Sequence, residues 1–415
     1  MPSIGTDQLL IQIENGVGCD FGYIVIDSIL NNTSSGGVRI TGDISLEEIK
    51  AMAAEMTLKY NFIGLNRGGA KSGIKIPEKT PKEDRKKLLA EFGRRAGPII
   101  RAGIYYPGRD MNCSEEDLSL IYKGAGCFIG KVTDTSFFTA VSLEKSVTAC
   151  KEVYGLKDPV KVAIEGFGSV GGFLAERLNP EVFHIIGVST KNGAIYRQEG
   201  LPLNQLLEYK KEYGDDFVLR FKDAERIEKK AILNLDVDIL IPCARTWAIN
   251  EDNVGEIKSR LIIPGANVPY TDGVLEVLQE KGAICLPGFV CNSGGVYGSS
   301  MFDRGINLKN IERFSEIYFK RVIKALLNKS KESHISPVNL AIMIAKMRFK
   351  RQKIKCENPA IHEKIMNRSL TKRLSPKPVL RALWMNGFRA NLEELEEEIM
   401  GFQANENDRR GISNE

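Results

Sequence analysis

The sequence predicts an α/β protein of two domains with a helical C-terminal extension, and three observations support that prediction. Its 415 residues exceed an average single domain, and a hydrophobic fraction of 43% provides for more than one core. Strand-like and helix-like segments are mixed over the first 130 or so residues, whereas from about residue 140 short apolar strands alternate with helices. That alternation is typical of a parallel, doubly wound sheet. Beyond residue 300 the pattern is helical.

Composition and charge exclude several classes of protein. The net charge of +5 is small for this length and does not indicate nucleic acid or an anionic membrane as a partner. The eight cysteines are scattered without a CxxC pair, and there are only three histidines, so neither a metal site nor a disulfide framework is predicted. The N-terminus lacks a signal-peptide pattern, and no apolar run approaches the ~18 residues of a spanning helix. We therefore expect a reduced, soluble, cytoplasmic protein.

The first domain begins with two predicted strands, LLIQIE and YIVIDSI, which are rich in Ile and bounded by Gly and Asn. A helix is predicted over 45–63, with Ser45 as its N-cap and Glu48 completing a capping box. The segment 64–77, GLNRGGAKSGIKIP, is predicted as a glycine-dense turn that feeds a short strand. A second amphipathic helix, KEDRKKLLAEFGRRAGPIIRA, precedes a short apolar run that ends near Asp110.

The second domain is predicted from a regular succession of elements. A helix covers SLEKSVTACKEVYG, and the segment VKVAIEGFGSVGGFLAERL has the pattern of strand, glycine turn and helix. Four further short apolar strands are predicted, namely VFHIIGVST, VDILIPC, RLIIPGA and AICLPGF.

The strongest local signal is a GxGxxG turn formed by Gly166, Gly168 and Gly171, with Ser169 and Val170 between the last two glycines. It follows an apolar strand and opens a helix whose predicted inner face is Val170, Phe173, Leu174 and Leu178. A bare GxGxxG is weakly specific, but in this context it predicts a Rossmann-like dinucleotide site. There the glycines allow a tight turn and close approach of the pyrophosphate to the backbone, and helix N–H groups meet the anion.

The end of the next strand bears on which dinucleotide is bound. An acidic residue about 20 positions after the motif would bind the ribose 2′-hydroxyl and repel a 2′-phosphate. The chain has Ser189, Thr190 and Lys191 there, so the acidic discriminator is lost and a cation is gained. We therefore leave the cofactor as NAD or NADP. Lys191 is equally compatible with a solvated loop lysine.

A lysine and an aspartate are candidates for catalysis. Lys71 lies among small residues in Gly-Gly-Ala-Lys-Ser-Gly, and burial against such walls would lower its pKa and allow it to exchange a proton. Lys59, at the end of the preceding helix, is a second cation that could hold a carboxylate. Asp110 follows an apolar segment on a turn. Taken one at a time, these residues are equally compatible with a surface lysine, a helix-terminal lysine and a turn aspartate.

Taken together, the order of motifs resembles one family, the glutamate, leucine, phenylalanine and valine dehydrogenases. MTLKYNFIGLNRGGAKSGI resembles its substrate segment, YYPGRDMN its catalytic aspartate turn and IEGFGSVGG its dinucleotide loop. IPCARTWAIN, IIPGANVPYT and CNSGGVYGSS resemble three further signatures in the family's order. The likeness covers about residues 22 to 345, and its layout is more similar to the leucine dehydrogenase branch than to the glutamate branch.

The resemblance implies an activity and a role for each matching position. The activity is reversible NAD(P)-dependent oxidative deamination of an L-amino acid to a 2-oxo acid and ammonia. Lys71 would activate water, Asp110 would move protons to and from the substrate nitrogen, and Lys59 would bind the α-carboxylate. The remaining implied positions are Gly36 and Gly37 in the substrate pocket, Thr139 and Asn267 at the nicotinamide, Asn292 between nicotinamide and substrate, and Cys243 and Ala244 near the adenosine ribose.

The substrate is left open by departures from the family pattern. Glutamate-specific members have a lysine before Gly-Gly-x-Arg, whereas this chain has Ser35, which would suit a polar, small or aromatic substrate side chain. Against that, Ser299 matches a serine that glutamate enzymes use for the side-chain carboxylate. Pro264 and Gly288 also depart from the family, without removing a group that the chemistry requires.

The expected domains are a substrate-binding and oligomerisation domain (1–138), a Rossmann-like NAD(P)-binding domain (139–295), helices returning to the first domain (296–350) and a charged helical extension (351–415). The extension, which includes Lys372, Arg373 and the acidic run 393–398, is expected to be a solvated helical pair, with an oligomer contact as the next interpretation. The resemblance implies a homo-oligomer. Two other functions stay open, a nucleotide-sensing protein that has lost catalysis and a dehydrogenase acting on a hydroxy acid.

Overall fold

The structure is a computed structural model that describes residues 9–14, 20–130, 133–358 and 377–403. These residues form two compact units. Unit 1 contains the described residues up to 130 together with 342–358, and unit 2 contains 133–341 together with 377–403. No helix in these ranges is both long enough and apolar enough to cross a membrane.

Unit 1 is a mixed five-stranded sheet in the order β1-β2-β4-β3-β5 with helices packed on it. β1 pairs antiparallel with β2 and β2 with β4, whereas β3 runs parallel to both β4 and β5. The strands are β1 (Leu9–Glu14), β2 (Asp20–Ile26), β3 (Ser34–Thr41), β4 (Gly68–Lys75) and β5 (Tyr105–Arg109), and the helices are α1 (Leu46–Phe62), α2 (Lys82–Arg101) and α3 (Glu115–Gly124).

The segment 64–77, predicted as a glycine-dense turn that feeds a short strand, forms strand β4 from Gly68 to Lys75, at the centre of the sheet. The strand was predicted, but the turn was extended too far, because the glycines from Gly68 on serve close packing rather than a change of direction. A Cβ on Gly68 would lie 2.0 Å from Ser28 O, and one on Gly69 would lie 2.1 Å from Thr57 N of α1. A Cβ on Gly73 would lie 2.7 Å from the Ile49 side chain. The missing side chains of Gly69 and Gly73 therefore let α1 lie directly on β4, and that of Gly68 lets β4 approach the chain just after β2.

The start of α1 confirms half of the predicted capping box. Ser45 Oγ accepts a hydrogen bond from Glu48 N at 3.1 Å, as an N-cap does. The Glu48 carboxylate, however, accepts from Arg39 of β3 through Oε1. Both halves of a capping box do occur at α3, between Ser114 and Asp117, where none was predicted.

Unit 2 contains a seven-stranded sheet in the order β12-β11-β10-β6-β7-β8-β9. The strands from β12 to β7 are parallel, which confirms the predicted doubly wound sheet, while β8 and β9 form an antiparallel edge that was not predicted. The strands are β6 (Val160–Glu165), β7 (Phe183–Thr190), β8 (Gly193–Tyr196), β9 (Glu225–Ile227), β10 (Ile239–Pro242), β11 (Leu261–Ile262) and β12 (Ile284–Cys285).

Helices cover both the Rossmann-like sheet and the C-terminal part of the chain. They are α4 (Thr135–Tyr154), α5 (Ser169–Arg177), α6 (Leu203–Tyr213), α7 (Val274–Glu280), α8 (Gly288–Cys291), α9 (Gly294–Phe302), α10 (Leu308–Ser333), α11 (Pro337–Glu357) and α12 (Lys377–Met400), with 3₁₀ turns at Gly214–Leu219, Lys229–Asn234 and Val254–Glu256. The first residues of α11 belong to unit 2 and the rest to unit 1.

Helix α12 shows that the C-terminal extension is not simply a solvated helical pair. Phe388, Leu392, Leu395 and Ile399 are buried at 7% exposure or less, at spacings that place them on one helix face. Within the acidic run, Glu396 Oε1 accepts from Arg321 Nε of α10 at 2.8 Å. The helix is therefore packed into unit 2. Lys372 and Arg373 lie outside the described residues.

The packing of α1 on β4 predicts the effect of a single methyl group. Gly69→Ala is expected to lower the free energy of unfolding by about 1–3 kcal/mol, because the new Cβ meets backbone rather than a movable side chain. Chemical denaturation measures it. Gly108→Ala in β5 is the matched control, since its Cβ would have only Gly36 O within 4 Å, at 3.9 Å. Equal denaturation midpoints for the two variants would contradict the close approach of helix and strand.

Candidate functional site

Six charged side chains meet in the interior of unit 1, and we call them the charge cluster. Three come from one face of α1, where spacings of seven and four residues align side chains. Two come from the neighbouring strands β3 and β4, and one from the residue that follows β5. The charge cluster consists of Arg39, Glu48, Glu55, Lys59, Lys71 and Asp110.

Asp110 joins two of the cations. Its Oδ2 accepts from Arg39 Nε at 2.9 Å and lies 3.3 Å from Lys71 Nζ. Arg39 also donates through Nη1 to Glu48 Oε1 at 2.5 Å. On the other side of the cluster, Lys59 Nζ lies 3.9 Å from Glu55 Oε1. With three cations and three carboxylates the cluster is formally neutral, which is the condition under which ionised groups tolerate burial.

Burial and neighbouring charges displace the pKa values of the cluster in opposite directions. Burial lowers the pKa of Lys71, and the Asp110 carboxylate offsets that effect only in part. Burial likewise lowers the pKa of Lys59 to about 8, against the attraction of Glu55. For Asp110, burial alone would raise the pKa, but the cations of Lys71 and Arg39 outweigh it and lower the pKa.

Strand β3, beside the charge cluster, contains the predicted substrate-pocket residues Ser35, Gly36 and Gly37. Ser35 Oγ donates to Tyr106 O at 2.9 Å. A Cβ on Gly36 would lie 1.6 Å from Ala70 O, and one on Gly37 would lie 2.7 Å from Asp110 Cβ. The two glycines therefore allow β4 and Asp110 to approach β3, which brings Lys71 and Asp110 together.

Such an arrangement is suited to proton transfer. Lys71 is 2% exposed, so its ammonium form loses water on every side and its proton becomes easier to remove. Asp110 lies close enough to exchange a proton with it directly. Removing the proton from Lys71 leaves Arg39 as the cation that contacts Asp110, and the pKa of Asp110 then rises. The two groups are thus coupled.

In unit 2 the glycine turn, which is the predicted dinucleotide loop, joins strand β6 to helix α5. Gly166 has φ +91°, and a Cβ there would lie 2.7 Å from Ala244. A Cβ on Gly171 would lie 2.5 Å from Gly166 O, whereas one on Gly168 has nothing within 4 Å. Gly168 is thus an open position at the start of α5, where N–H groups lack partners within the helix. The space in front of Gly168 fits an anion such as pyrophosphate.

The inner face of α5 differs from the predicted set. Gly171, Leu174, Ala175 and Leu178 are buried, while Val170 and Phe173 are only partly buried. The Phe173 ring packs edge-on against Phe137 of α4 at 5.8 Å. The prediction counted only large apolar residues, but close packing of helix on strand here uses small ones.

Around the predicted ribose position, Ser189 and Thr190 have structural partners. Phe167 N donates to Ser189 O at 2.6 Å and Gly166 N to Ser189 Oγ at 3.1 Å, so Ser189 holds the glycine turn. Thr190 Oγ1 donates to Asp215 O at 2.8 Å and accepts from Asn192 N. Lys191 is exposed at the strand end.

A residue that sequence reasoning missed, Glu165, links the two predicted cofactor segments. It ends β6 directly before the glycine turn and is 8% exposed. Its carbonyl accepts from Cys243 N at 2.6 Å and its Oε2 accepts from Ala244 N at 3.1 Å. Burial raises the pKa of this carboxyl group. Glu165 therefore fixes Cys243 and Ala244 against the dinucleotide loop.

The predicted nicotinamide residues lie in the same unit. Asn292 Nδ2 donates to Ala266 O at 2.9 Å, beside Asn267, while Asn292 Oδ1 is buried without a hydrogen-bond partner among the described residues. An orphaned buried acceptor of this kind fits the amide of a nicotinamide. Thr139 Oγ1 donates to Thr135 O at 2.8 Å, and a Cβ on Gly295 would lie 2.6 Å from it. Ser299 is partly buried on α9.

The predicted site residues thus form two groups. Unit 1 brings together Ser35, Gly36, Gly37, Lys59, Lys71 and Asp110, and unit 2 holds the glycine loop, Thr139, Thr190, Lys191, Cys243, Ala244, Asn267, Asn292 and Ser299. The sequence analysis missed Arg39, Glu48 and Glu55. Helical spacing could have indicated the last two, because they precede Lys59 by eleven and four positions on α1.

Comparison with protein families gives two matches that together extend from residue 8 to residue 354. A model described as Glutamate/Leucine/Phenylalanine/Valine dehydrogenase matches residues 132–354. A model described as Glu/Leu/Phe/Val dehydrogenase, dimerisation domain, matches residues 8–125. The charge cluster lies within the second match and the dinucleotide loop within the first.

Individual proteins agree with the family models. A glutamate dehydrogenase of Thermotoga maritima is 32% identical over 294 residues, which are 66% of this chain and 70% of that protein. An NADP-specific glutamate dehydrogenase of Saccharolobus shibatae is 27% identical over 281 residues, 64% of this chain and 66% of that protein. The hetero-hexameric glutamate dehydrogenase of Thermus thermophilus, solved in a leucine-bound form, superposes with a TM-score of 0.71 at 20% identity and covers 84% of this chain and 89% of its own.

The open position at Gly168 leads to a test that separates cofactor binding from folding. Gly168→Ala is expected to melt at the wild-type temperature, because its Cβ meets no protein atom, but to bind reduced nicotinamide cofactor at least about 10-fold more weakly. Fluorescence titration and thermal melting measure the two quantities. Gly172→Ala, whose Cβ also meets nothing within 4 Å, is the matched control and should retain affinity. Unchanged affinity in Gly168→Ala would contradict the assignment of the loop.

Proposed function

We propose that Lys71, Asp110 and Lys59 carry out the catalysis and substrate binding of this chain. The chain belongs to the glutamate/leucine/phenylalanine/valine dehydrogenase family and is an NAD(P)-dependent amino-acid dehydrogenase. The observation that carries the proposal is the buried contact of 3.3 Å between Lys71 Nζ and Asp110 Oδ2 inside the neutral charge cluster. The reaction is reversible oxidative deamination of an L-amino acid to a 2-oxo acid and ammonia.

The residues of unit 1 account for substrate binding and proton transfer. The Lys59 ammonium binds the α-carboxylate of the amino acid. When bound, a nicotinamide cofactor would supply the acceptor for the hydride of Cα, and the substrate would thereby become an iminium. Lys71, in its neutral form, takes a proton from the water that attacks the iminium carbon. Asp110, which has already taken the proton that the substrate ammonium loses before the hydride leaves, returns it to the nitrogen of the resulting carbinolamine. The C–N bond then breaks and ammonia departs, and the hydroxyl proton passes to Asp110 as the carbonyl forms.

The residues of unit 2 would hold the cofactor. Gly166, Gly168, Ser169, Val170 and Gly171 would face the pyrophosphate through the backbone at the start of α5. Cys243 and Ala244, positioned by Glu165, would lie by the adenosine ribose. Asn292, with its orphaned Oδ1, Asn267 and Thr139 would bind the nicotinamide end.

For the substrate we propose an amino acid with an uncharged side chain. Each cation of the charge cluster lies against a carboxylate, and Ser35 replaces the lysine that glutamate-specific members use. A second substrate carboxylate would therefore be buried without a counter-ion in unit 1, which is costly. An uncharged side chain agrees with the likeness to the leucine branch but differs from glutamate, the substrate in the names of the relatives. A panel of substrates therefore decides between the two.

The assembly and location complete the proposal. The match to a dimerisation domain supports a homo-oligomer built through unit 1. The domain limits 1–138, 139–295, 296–350 and 351–415 remain our proposed functional divisions, with the first bearing the substrate and the second the cofactor. We also propose a cytoplasmic location, because the free cysteines of the described residues fit a reducing compartment.

Removing the amine of Lys71 tests the catalytic role. Lys71→Met retains the aliphatic volume, and we expect kcat to fall about 100- to 10,000-fold while the affinity for cofactor stays within about 2-fold. Steady-state kinetics and cofactor titration measure these values. Lys75→Met is the matched control on the same strand, where Nζ donates to Tyr23 Oη at 2.9 Å outside the charge cluster. Wild-type turnover in Lys71→Met would contradict the role.

Side-chain selection is measured with purified protein, NAD and NADP, and a panel of L-amino acids. We expect kcat/KM for L-leucine, L-valine or L-phenylalanine to exceed that for L-glutamate by at least about 10-fold, because a second buried carboxylate lacks a partner. Preferred turnover of L-glutamate would overturn the uncharged side chain and leave the dehydrogenase activity intact.

Cofactor choice is tested at Lys191, since the Thr190 hydroxyl already serves the turn. Lys191→Ala is expected to weaken NADP binding relative to NAD by about 10-fold, because it removes the cation that directly follows β7, where the ribose is predicted. Lys211→Ala, an exposed lysine of α6, controls for a general loss of positive charge. An unchanged NADP-to-NAD ratio would show that other residues recognise the ribose.

A further inference from the structure

We propose that Glu55 is a positioning residue that keeps Lys59 in its ammonium form and so sets the pH above which the protein releases the α-carboxylate of its substrate. The inference rests on the proposed function, in which Lys59 binds that carboxylate. It assigns a task to a buried carboxylate that neither the proton transfers nor the cofactor uses.

The geometry places Glu55 and Lys59 one turn apart on the same face of α1. Lys59 Nζ and Glu55 Oε1 are separated by 3.9 Å, and their side chains are 4% and 1% exposed. At this distance the two interact as an ion pair, and with so little water between them the attraction is screened far less than at a surface. A charge at position 55 therefore acts directly on the ionisation of Lys59.

The other charges around α1 act on Lys59 less directly or are already paired. From β4, Lys71 repels the Lys59 cation, and from the end of β5, Asp110 attracts it. From β3, Arg39 pairs with Glu48 and Asp110. Asp27, just beyond β2, accepts from Thr57 Oγ1 at 2.6 Å, and Arg348 of α11 donates to Asn61 O at 3.1 Å.

Glu55 is the largest influence that opposes deprotonation of Lys59. Burial lowers the pKa of Lys59 to about 8, and the Glu55 carboxylate opposes that shift more strongly than any other group. Lysine is charged below its pKa, so Lys59 binds a carboxylate at neutral pH and loses that ability as the pH rises through about 8. Without the Glu55 charge the pKa falls further, and the loss of binding begins at lower pH.

The test measures carboxylate affinity rather than turnover. The probes are 4-methylpentanoate and 3-phenylpropanoate, which carry a carboxylate but no amino or oxo group for Lys71 or Asp110 to act on. Their dissociation constants are measured by calorimetry from pH 6 to pH 9.5 on the full-length protein saturated with reduced cofactor. Wild type should bind most tightly below about pH 8 and more weakly above it.

The Glu55→Gln variant removes the charge and retains the shape. The alkaline limb, which is the pH range where affinity for the probes falls, should lie at least about one pH unit below that of wild type. Its affinity near pH 6 should match or exceed that of wild type, which also shows that the variant is folded. Glu55→Asp, whose charge is withdrawn by one methylene, should place the limb between the two. Glu47→Gln is the control from the same helix. It should leave the limb at the wild-type pH because Glu47 is exposed in the first turn of α1 and lies outside the charge cluster.

The outcomes distinguish failure of the role of Glu55 from failure of the proposed role of Lys59. A wild-type limb in Glu55→Gln, with folded protein, overturns the role of Glu55. If Glu55→Gln does not fold, the intermediate limb of Glu55→Asp supports the role and a wild-type limb overturns it. Lys59→Met tests the premise, since it should abolish the pH-dependent binding of the probes. Undiminished binding in Lys59→Met refutes carboxylate binding by Lys59, and with it the premise about Glu55.

Discussion

The close approach of helix α1 to strand β4 is the constraint on which unit 1 depends. Gly69 and Gly73 leave no Cβ between the helix and the strand, so Lys59 of the helix and Lys71 of the strand are buried in the same interior. Two lysines cannot be buried together as ammonium ions without carboxylates nearby. Glu55 and Asp110 occupy those positions, and Arg39 with Glu48 completes a neutral set.

The same close packing gives each lysine a different chemical character. Lys71 shares its carboxylate with Arg39, so Asp110 favours its charged form less strongly than an exclusive partner would, and Lys71 is suited to giving up a proton. Lys59 has Glu55 on its own helix, which favours the cation. In the proposed function, the base Lys71 and the carboxylate-binding cation Lys59 are thus distinguished by their neighbours and not by residue type. In unit 2 the glycines again make room. Gly168 leaves open space in front of α5, and Gly166 lets Ala244 pack against the turn.

Sequence reasoning predicted those features that depend on local pattern. The doubly wound sheet, the helix that bears Lys59, the glycine turn between β6 and α5, and the family were all confirmed. It failed where tertiary packing decides, because Gly68 to Gly73 serve close approach inside a strand, and α12 is buried through four apolar residues in a charged tail. Sequence reasoning missed Arg39, Glu48 and Glu55 in the cluster, because a charged residue in a helix or strand gives no local sign that it is buried. Glu48 was predicted only as part of the capping box and not as a partner of Arg39. The antiparallel edge β8 and β9 is likewise set by pairing and not by local sequence.

The central claim is that burial makes Lys71 release its proton at a pH below the ordinary lysine range, and the most direct measurement is its own titration. Trace acylation of the folded protein with a small amine reagent across pH 6 to 11, followed by peptide mass spectrometry, gives a labelling midpoint for Lys71, with an added lysine peptide as the standard. The account predicts a midpoint for Lys71 below the value of about 10.4 for a solvated lysine, moving lower still in Asp110→Asn. A midpoint equal to that of the peptide, and unaffected by Asp110→Asn, would contradict it.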